Sequence, residues 1–355
     1  MMVPAFIHFM AVDSPIFNGV LIQLINETMK AEEHMFLVGG KDAYIRLSKQ
    51  YKNVVYEPNF QLSTIQKYDT GREILIVHSM FLTSTELCCL ETKQLKRLVW
   101  CVWGHDLYQK RENRTLKMWV RNWRADRKIG DIRAIVAGFK YDINEIRHRF
   151  GKSVPVYNAF YASGYYKDDV DCIVRNYQRT DARTHIMVGH SAYSFLQHEK
   201  IFRQLEKYKN EDMVITLMLS YGDKEYATKI VEDASKMFGV EKLNVIHNFM
   251  TWHEYIQLLC NIDIAIFDFD HQAAFGNLIL LSYLGKKIYL SPTGVMYRAF
   301  KTENSEVYSC LDIGRITFEE LRTKKQLNTN TNYAESLLNK ENIITQWKNL
   351  FQTIG

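Results

Sequence analysis

The sequence predicts a two-domain α/β protein built on doubly wound parallel sheets, and three observations predict it. Short apolar runs alternate with amphipathic helical patterns along most of the chain, as parallel strands joined by crossover helices do. The clearest run, Leu98–Trp103 (LVWCVW), is apolar without alternation, which suits a strand buried on both faces. At 355 residues the chain is too long for one typical core.

In order, Ala5–Phe9 reads as a first strand, followed by a loop and a helix with Val20, Leu21, Leu24, Ile25 and Met29 on one face. Met35–Val38, Asn53–Tyr56 and Glu73–His78 are further strands, Thr83–Leu90 is a helix, and then comes Leu98–Trp103. Ile132–Ala137 and Ser153–Tyr157 close the first half. Periodicity fades between Tyr161 and Arg183, where the interdomain linker is expected. The second half repeats the alternation. Its strands are His185–Val188, Met213–Leu219, Leu243–Ile246, Ile262–Phe267 and Lys287–Leu290. Its helices are Lys224–Phe238, Trp252–Leu259 and Asn277–Leu284, with a Gln272–Gly276 loop before the last. A terminal helix, Glu341–Ile354, carries Ile343, Ile344, Trp347, Leu350 and Phe351 on one face and should dock on the N-terminal domain. The expected boundaries are 1–165, 166–335 and 336–355.

Composition narrows the function classes. With 47% hydrophobic and 24% charged residues the chain is an ordinary globular one. A net charge of +5 permits an anionic ligand or membrane surface but falls short of a nucleic-acid-binding signature. The six cysteines show no C-x-x-C pair and no metal or disulfide spacing, so reduced thiols, a cytoplasmic location and no bound metal are expected. Met1–Met10 lacks a basic n-region and reads as a strand, not a signal peptide. No apolar stretch reaches the roughly 18–20 residues a membrane span needs, which leaves a soluble or peripheral protein.

Four stretches can carry chemistry. Leu98–Trp103 delivers Gly104, His105, Asp106 and Tyr108 to a strand's C-terminal end, where open α/β sheets bind ligands. Asp106 there is either an active-site carboxylate or a cap for the next helix. In Arg111–Lys128, the residues Arg114, Lys117, Arg121, Arg124 and Lys128 line one side of a helix. Leu116, Trp119, Val120 and Trp123 line the other side, which packs into the protein's own core or faces a partner. Finally, Gly189-His190-Ser191 and Phe275-Gly276-Asn277 each lead into a helix, whose N-terminus favours a phosphate.

The chain resembles glycosyltransferase family 56, of the GT-B superfamily. The likeness runs through Ile7-His8 to Asp13 and Asn18, Gly40-Lys41-Asp42, His78 and Phe81, and Trp103-Gly104-x-Asp106-Leu107-Tyr108. It continues through Val188-Gly189, Ser191, His198, Gln272, Gly276, Leu278 and Trp347. His190 stands where the family's type member has Asn, and Ala273-Ala274-Phe275-Gly276-Asn277 where it has Gln-Gly-Ile-Gly-Thr. Ala273 and Leu281 replace the Glu pair of common retaining GT-B enzymes.

The resemblance implies two Rossmann-like doubly wound domains facing a central cleft. It implies transfer of a sugar, such as an acetamido-dideoxyhexose, from a nucleoside-diphosphate donor to a polyprenyl-diphosphate-linked glycan. No cofactor is expected. The enzyme would sit peripherally on the cytoplasmic face of the inner membrane, with Arg114, Lys117, Arg121, Arg124 and Lys128 meeting lipid or acceptor. Gly189, His190, Ser191, Gly276 and Asn277 would hold the donor diphosphate, and Tyr221, Gly222 and Gln272 the nucleotide or sugar. The acceptor hydroxyl needs a base. Asp106 is the first choice, with His8, Asp13, His78 and His105 as further candidates. A nucleotide-sugar epimerase and a non-catalytic binding protein are the rival readings.

Overall fold

A computed structural model of the chain describes residues 4–12, 14, 17–109, 114–161, 165–179, 181–323 and 328–355. The chain divides into two compact units, one of Met1–Tyr166 with Leu338–Gly355 and one of Lys167–Leu337.

The first unit holds β1 (Phe6–Met10), β2 (His34–Val38), β3 (Val54–Tyr56), β4 (Ile74–His78), β5 (Leu98–Cys101), β6 (Ala134–Ala137) and β7 (Val156–Asn158). They form one parallel sheet in the order β3-β2-β1-β4-β5-β6-β7. The central strands β1, β4, β5 and β6 are buried along their whole length, which their mostly apolar sequences foretell, and His8 in β1 and His78 in β4 are buried with them. The second unit holds β8 (Thr184–Val188), β9 (Met213–Met218), β10 (Leu243–Ile246), β11 (Ile264–Phe267), β12 (Lys287–Leu290) and β13 (Tyr308–Ser309). Its sheet, also parallel, runs β10-β9-β8-β11-β12-β13. Strand order reverses between β1 and β4 in one unit and between β8 and β11 in the other. Such reversals open a crevice at the C-terminal strand ends.

The structure departs from the sequence reading in places. The stretch expected to be an irregular linker contains the helix Lys167–Asn176. Only Val170 and Ile173 are buried on it, too few to print an apolar period among Asp168, Asp169, Asp171 and Arg175. The strand expected to reach Trp103 stops at Cys101, although Val102 N still donates to Val136 O at 2.9 Å. The helix expected from residue 111 is described from Leu116 to Gly130; residues 111–113 lie outside the described residues.

The terminal helix Lys340–Ile354 belongs to the first unit. Asn339 caps it, accepting from Asn342 N at 2.9 Å. Its apolar face buries Ile343, Ile344, Trp347, Leu350, Phe351 and Ile354. Trp347 Nε1 donates to Phe160 O at 2.8 Å, so this indole is packed and hydrogen-bonded at once. Truncating a buried aromatic of this size costs roughly 3–5 kcal/mol.

Candidate active site

In the second unit the loops after β8, β9 and β11 meet around the strand-order reversal. Gly189, just past β8, donates its N–H to Ile266 O on β11 at 3.0 Å. It adopts φ +67°, and a Cβ there would lie 2.5 Å from His198 Nε2, so only glycine fits. Ala192 N donates to Tyr221 O and Asp223 N donates to Ala192 O, both at 2.8 Å. Gly222 backs onto Ala192 closely enough that a Cβ would lie 2.6 Å from its carbonyl oxygen. The β8 and β9 loops are therefore stitched together by backbone.

One expectation fails here. Gly189-His190-Ser191 does not open a helix: a 3-10 turn, Ser194–Leu196, intervenes, and the α-helix starts at His198. Gln197, at φ +52°, breaks the continuity between them. A ligand at Gly189–Ser191 would meet loop amides and a hydroxyl, not a helix terminus.

Buried polar atoms mark this edge. His190 Nδ1, His198 Nε2 and Gln272 Oε1 have no hydrogen-bond partner among the described residues, and the buried Ser191 hydroxyl interacts with that of Tyr221. Leaving each unpaired costs roughly 1–3 kcal/mol, which a ligand's polar groups would offset. Burial lowers the pKa of both His190 and His198 to about 4, so both rings are neutral and can donate one N–H without charge. His198 Nδ1 is engaged by the Tyr226 hydroxyl at 3.2 Å.

Past β11, Asp268 pairs with Lys200 at 2.6 Å. Asp270 accepts from Ser291 Oγ (3.0 Å) and Thr293 Oγ1 (2.7 Å), which fixes the loop. Ala274, at φ +56°, leads into the helix Phe275–Tyr283, whose N-terminus no side chain caps. A Cβ on Gly276 would meet nothing within 4 Å, so its backbone faces open space. Asn277 lies in the first turn, not at its opening, and its Oδ1 accepts from Tyr255 Oη at 2.6 Å. The position of the missing retaining-type Glu, Leu281, is buried in the core.

An aromatic rim surrounds these groups, and only Tyr221 in it was foreseen. Tyr221 stacks with Phe249 (centroids 6.1 Å, planes 6° apart), and Tyr193 with Phe195 (5.6 Å, 15°). Phe195 meets His271 at 5.5 Å and His190 meets Phe269 at 5.8 Å. Phe249 is 80% exposed and Tyr221 42%. The signal was present: each strand from β8 to β11 is followed within five residues by an aromatic that does not fit its helix or strand period.

In the first unit, Asp106 lies in a short helix, His105–Tyr108, which starts after Gly104 at φ +87°. Its Oδ2 accepts from Met80 N (2.8 Å) and Trp100 Nε1 (2.7 Å), and its Oδ1 from Trp103 N (3.0 Å). The carboxylate thus ties the loop after β4 to the loop after β5. His105 is exposed beside it. Asp13 lies outside the described residues. His8 and His78 are fully buried and hydrogen-bonded to one another, Nδ1 to Nε2, at 2.9 Å. Ser79, directly after His78, is held at φ +62°, a strained conformation for a non-glycine residue.

The helix Leu116–Gly130 packs through Asn122, Ala125 and Ile129. Leu116 (77%), Trp119 (52%) and Trp123 (47%) are exposed, so this apolar side does not enter the core. The core-facing stripe instead falls between the tryptophans and the basic residues. Lys117 and Arg124 are exposed, as is Arg114 just before the helix, while Arg121 and Lys128 are half-buried. Lys128 Nζ donates to Leu90 O at 2.8 Å. Among the described residues no helix is long and apolar enough to cross a membrane, and no three His, Cys, Asp or Glu are grouped to hold a metal.

Two doubly wound parallel sheets with loop crevices at their order reversals make two Rossmann-like units, the fold that GT-B glycosyltransferases have. Solved structures share it. Anabaena Alr3699/HepE in complex with UDP matches with a TM-score of 0.66 at 10% identity, over 98% of this chain and 100% of that one. A glycosyltransferase from Rickettsia africae ESF-5 matches with a TM-score of 0.62 at 12% identity, over 98% of each chain. A Listeria monocytogenes protein described as a putative UDP-N-acetylglucosamine 2-epimerase matches with a TM-score of 0.57 at 10% identity, over 98% of this chain and 95% of that one. The chain itself belongs to the family described as 4-alpha-L-fucosyltransferase, glycosyl transferase group 56, which matches residues 3–354. It is a glycosyltransferase.

Proposed function

We propose that this glycosyltransferase moves a deoxyhexose, such as an acetamido-dideoxyhexose, from a nucleoside-diphosphate donor to a polyprenyl-diphosphate-linked glycan at an anionic membrane surface. The observation that carries the donor half is the group of buried, unpaired polar atoms at the β8 and β11 ends, His190 Nδ1, His198 Nε2 and Gln272 Oε1, beside the buried Ser191 hydroxyl. A UDP-bound neighbour of the same fold supports it.

In this reading the acceptor oxygen attacks the anomeric carbon, the bond from that carbon to the donor phosphate breaks, and the acceptor proton leaves. Charge grows on the departing diphosphate. The Ser191 hydroxyl, the amides around Gly189 and the uncapped N-terminus at Gly276 stabilise it, the helix end contributing roughly 0.3–1 kcal/mol. The neutral His190 and His198 rings add donors without fixed charge. Asp106 holds the acceptor-side loops in place. The exposed tryptophans and basic residues of the Leu116–Gly130 helix supply the membrane contact.

The donor half is tested by thermal shift with UDP, TDP and GDP and their sugars. A ligand at 100 times its dissociation constant adds about 2.7 kcal/mol. Ser191→Ala should abolish that shift while the variant still unfolds cooperatively in the absence of nucleotide. No response to any nucleotide, or an undiminished response in Ser191→Ala, would overturn the reading.

A further inference from the structure

Three histidines and a tyrosine form a continuous hydrogen-bonded row through the first sheet. His34 Nδ1 meets His8 Nε2 at 3.0 Å, His8 Nδ1 meets His78 Nε2 at 2.9 Å, and His78 Nδ1 meets the Tyr161 hydroxyl. The strand register shows its direction. His34, the first residue of β2, is level with Phe6, whereas His78, the last of β4, is level with Met10 and Cys101. The backbone positions of the row therefore climb four strand residues, from one edge of the sheet to its C-terminal edge.

Tyr161 at the upper end is partly exposed. Its neighbours are Cys101, Trp103 and Asp106, the loop groups of the acceptor-side edge. At the lower end His34 retains 3% exposure, beside Glu33. Between them the rings are sheathed by Phe6, Phe36, Trp347 and Phe351, which keep water out.

The atom pairing constrains the protons. Every link joins the Nδ1 of one ring to the Nε2 of the next or to the tyrosine oxygen. A neutral imidazole has one donor and one acceptor nitrogen. All links are therefore made only when the three rings carry their protons on the same kind of nitrogen, all Nε2 or all Nδ1. A row with two such states differing by one proton passed along each link has the form of a relay.

We propose that His34, His8, His78 and Tyr161 conduct a proton between the acceptor-side edge and the far end of the sheet. This rests on the reading of the first unit as the acceptor half. Starting with all protons on Nε2, the Tyr161 O–H bond breaks as His78 Nδ1–H forms. His78 Nε2–H breaks as His8 Nδ1–H forms, His8 Nε2–H breaks as His34 Nδ1–H forms, and the His34 Nε2 proton leaves to water. The Tyr161 oxygen is refilled by the proton the acceptor hydroxyl loses. Burial keeps the phenol far above its ordinary pKa, so the oxygen gains one proton as it gives up the other. After product leaves, the row resets in reverse: water gives His34 Nε2 a proton, each Nδ1 proton passes back along its link, and Tyr161 releases the acquired proton to water entering the vacated acceptor edge. The three histidines are positioning residues here, and His34 was not among the residues the sequence singled out.

The test is nitrogen NMR of the full chain with 15N-labelled histidine at pH 7.5. In the wild-type protein the Nδ1 and Nε2 shifts of His34, His8 and His78 should be drawn toward one another to the same degree, since both uniform states interchange. In His34→Phe, exchange of the buried His8 ring proton with solvent should slow at least about tenfold, the equivalent of about 1.4 kcal/mol. Fixed tautomers in the wild-type rings, or exchange unchanged in His34→Phe, would overturn the relay. The wild-type spectrum decides even if the variant does not fold. No sugar substrate enters either measurement, so the relay can fail while the donor assignment stands, and the reverse.

Discussion

Gly189 is pressed against His198: a β-carbon at position 189 would sit 2.5 Å from His198 Nε2, and the backbone there is left-handed at φ +67°. Both facts predict the cost of Gly189→Ala. Strain at φ and displacement of a fully buried ring should together lower stability by roughly 1–3 kcal/mol. Urea unfolding measures that, and the nucleotide response of the proposed donor site should fall with it. An unchanged midpoint would mean that the loop and the ring relax apart freely.

Asp106 gives a contrasting case. Its carboxylate accepts from Met80 N, Trp100 Nε1 and Trp103 N, and Trp100 is fully buried. Removing it leaves these donors unpaired at roughly 1–3 kcal/mol each, moderated where water reaches the two loop amides. Asp106→Ala should therefore lose about 2–4 kcal/mol in chemical denaturation. A variant as stable as the parent would restrict Asp106 to chemistry and remove its structural role.

The buried histidines predict how stability depends on pH. Burial lowers the pKa of His34, His190 and His198 to about 4 and of His78 to about 3, and holds His8 well below its ordinary value. The unfolded chain takes up protons near pH 6.5, whereas the folded chain does not. Between pH 6.5 and about 4 the unfolded state thus binds more protons, and stability falls as pH falls. Each histidine contributes roughly 1.4 kcal/mol per pH unit once well inside that window. Above pH 7 their contribution is complete and the profile is flat from this source. Urea midpoints at pH 7.5, 6.5, 5.5 and 4.5 should decline progressively, and a level series would show that the rings are not neutral in the fold.

Much of the architecture was legible because buried parallel strands leave a strong sequence trace. Lys287–Leu290, Leu243–Ile246 and the helix Lys224–Phe238 were read to the residue. The helix Lys167–Asn176 was not, because only two of its positions are buried. The close loop packing at Gly189 and Gly222 left its trace as glycine, since a left-handed position in close approach to a neighbour admits little else. What the sequence concealed is pairing across long separations. Nothing in the string tells that His8 meets His34 and His78, or that Asp106 reaches back to Met80. Helical spacing likewise grouped Trp119 with Trp123, but only the packing of Asn122, Ala125 and Ile129 decides which face is left outside.

The exposed stack of Tyr221 and Phe249 offers a flat aromatic surface beside the proposed diphosphate groups. Base stacking on an aromatic is worth roughly 1–3 kcal/mol by alanine substitution. Phe249→Ala should weaken nucleotide binding by about 5- to 150-fold. At 80% exposure the ring contributes little to the core, so thermal stability without nucleotide should not change. Calorimetric titration with the nucleotide that gives the largest thermal shift decides it, and equal affinity in the variant would place the base elsewhere.

The Leu116–Gly130 helix separates two contributions to the proposed membrane contact. At 100° per residue its solvent side presents Leu116, Trp119 and Trp123 next to Lys117 and Arg124. The charged half should act on anionic lipid and weaken with salt, at roughly 1 kcal/mol per Lys or Arg. The aromatic half should act on any bilayer and resist salt. Lys117→Glu with Arg124→Glu should therefore lower affinity for phosphatidylglycerol vesicles at least about 30-fold and leave weak binding to phosphatidylcholine intact. Trp119→Ser with Trp123→Ser should weaken both. All four side chains are exposed, so the variants should fold as the parent does. Sedimentation with vesicles of each composition reads the outcome, and binding unaffected by either pair would remove this helix from the membrane contact.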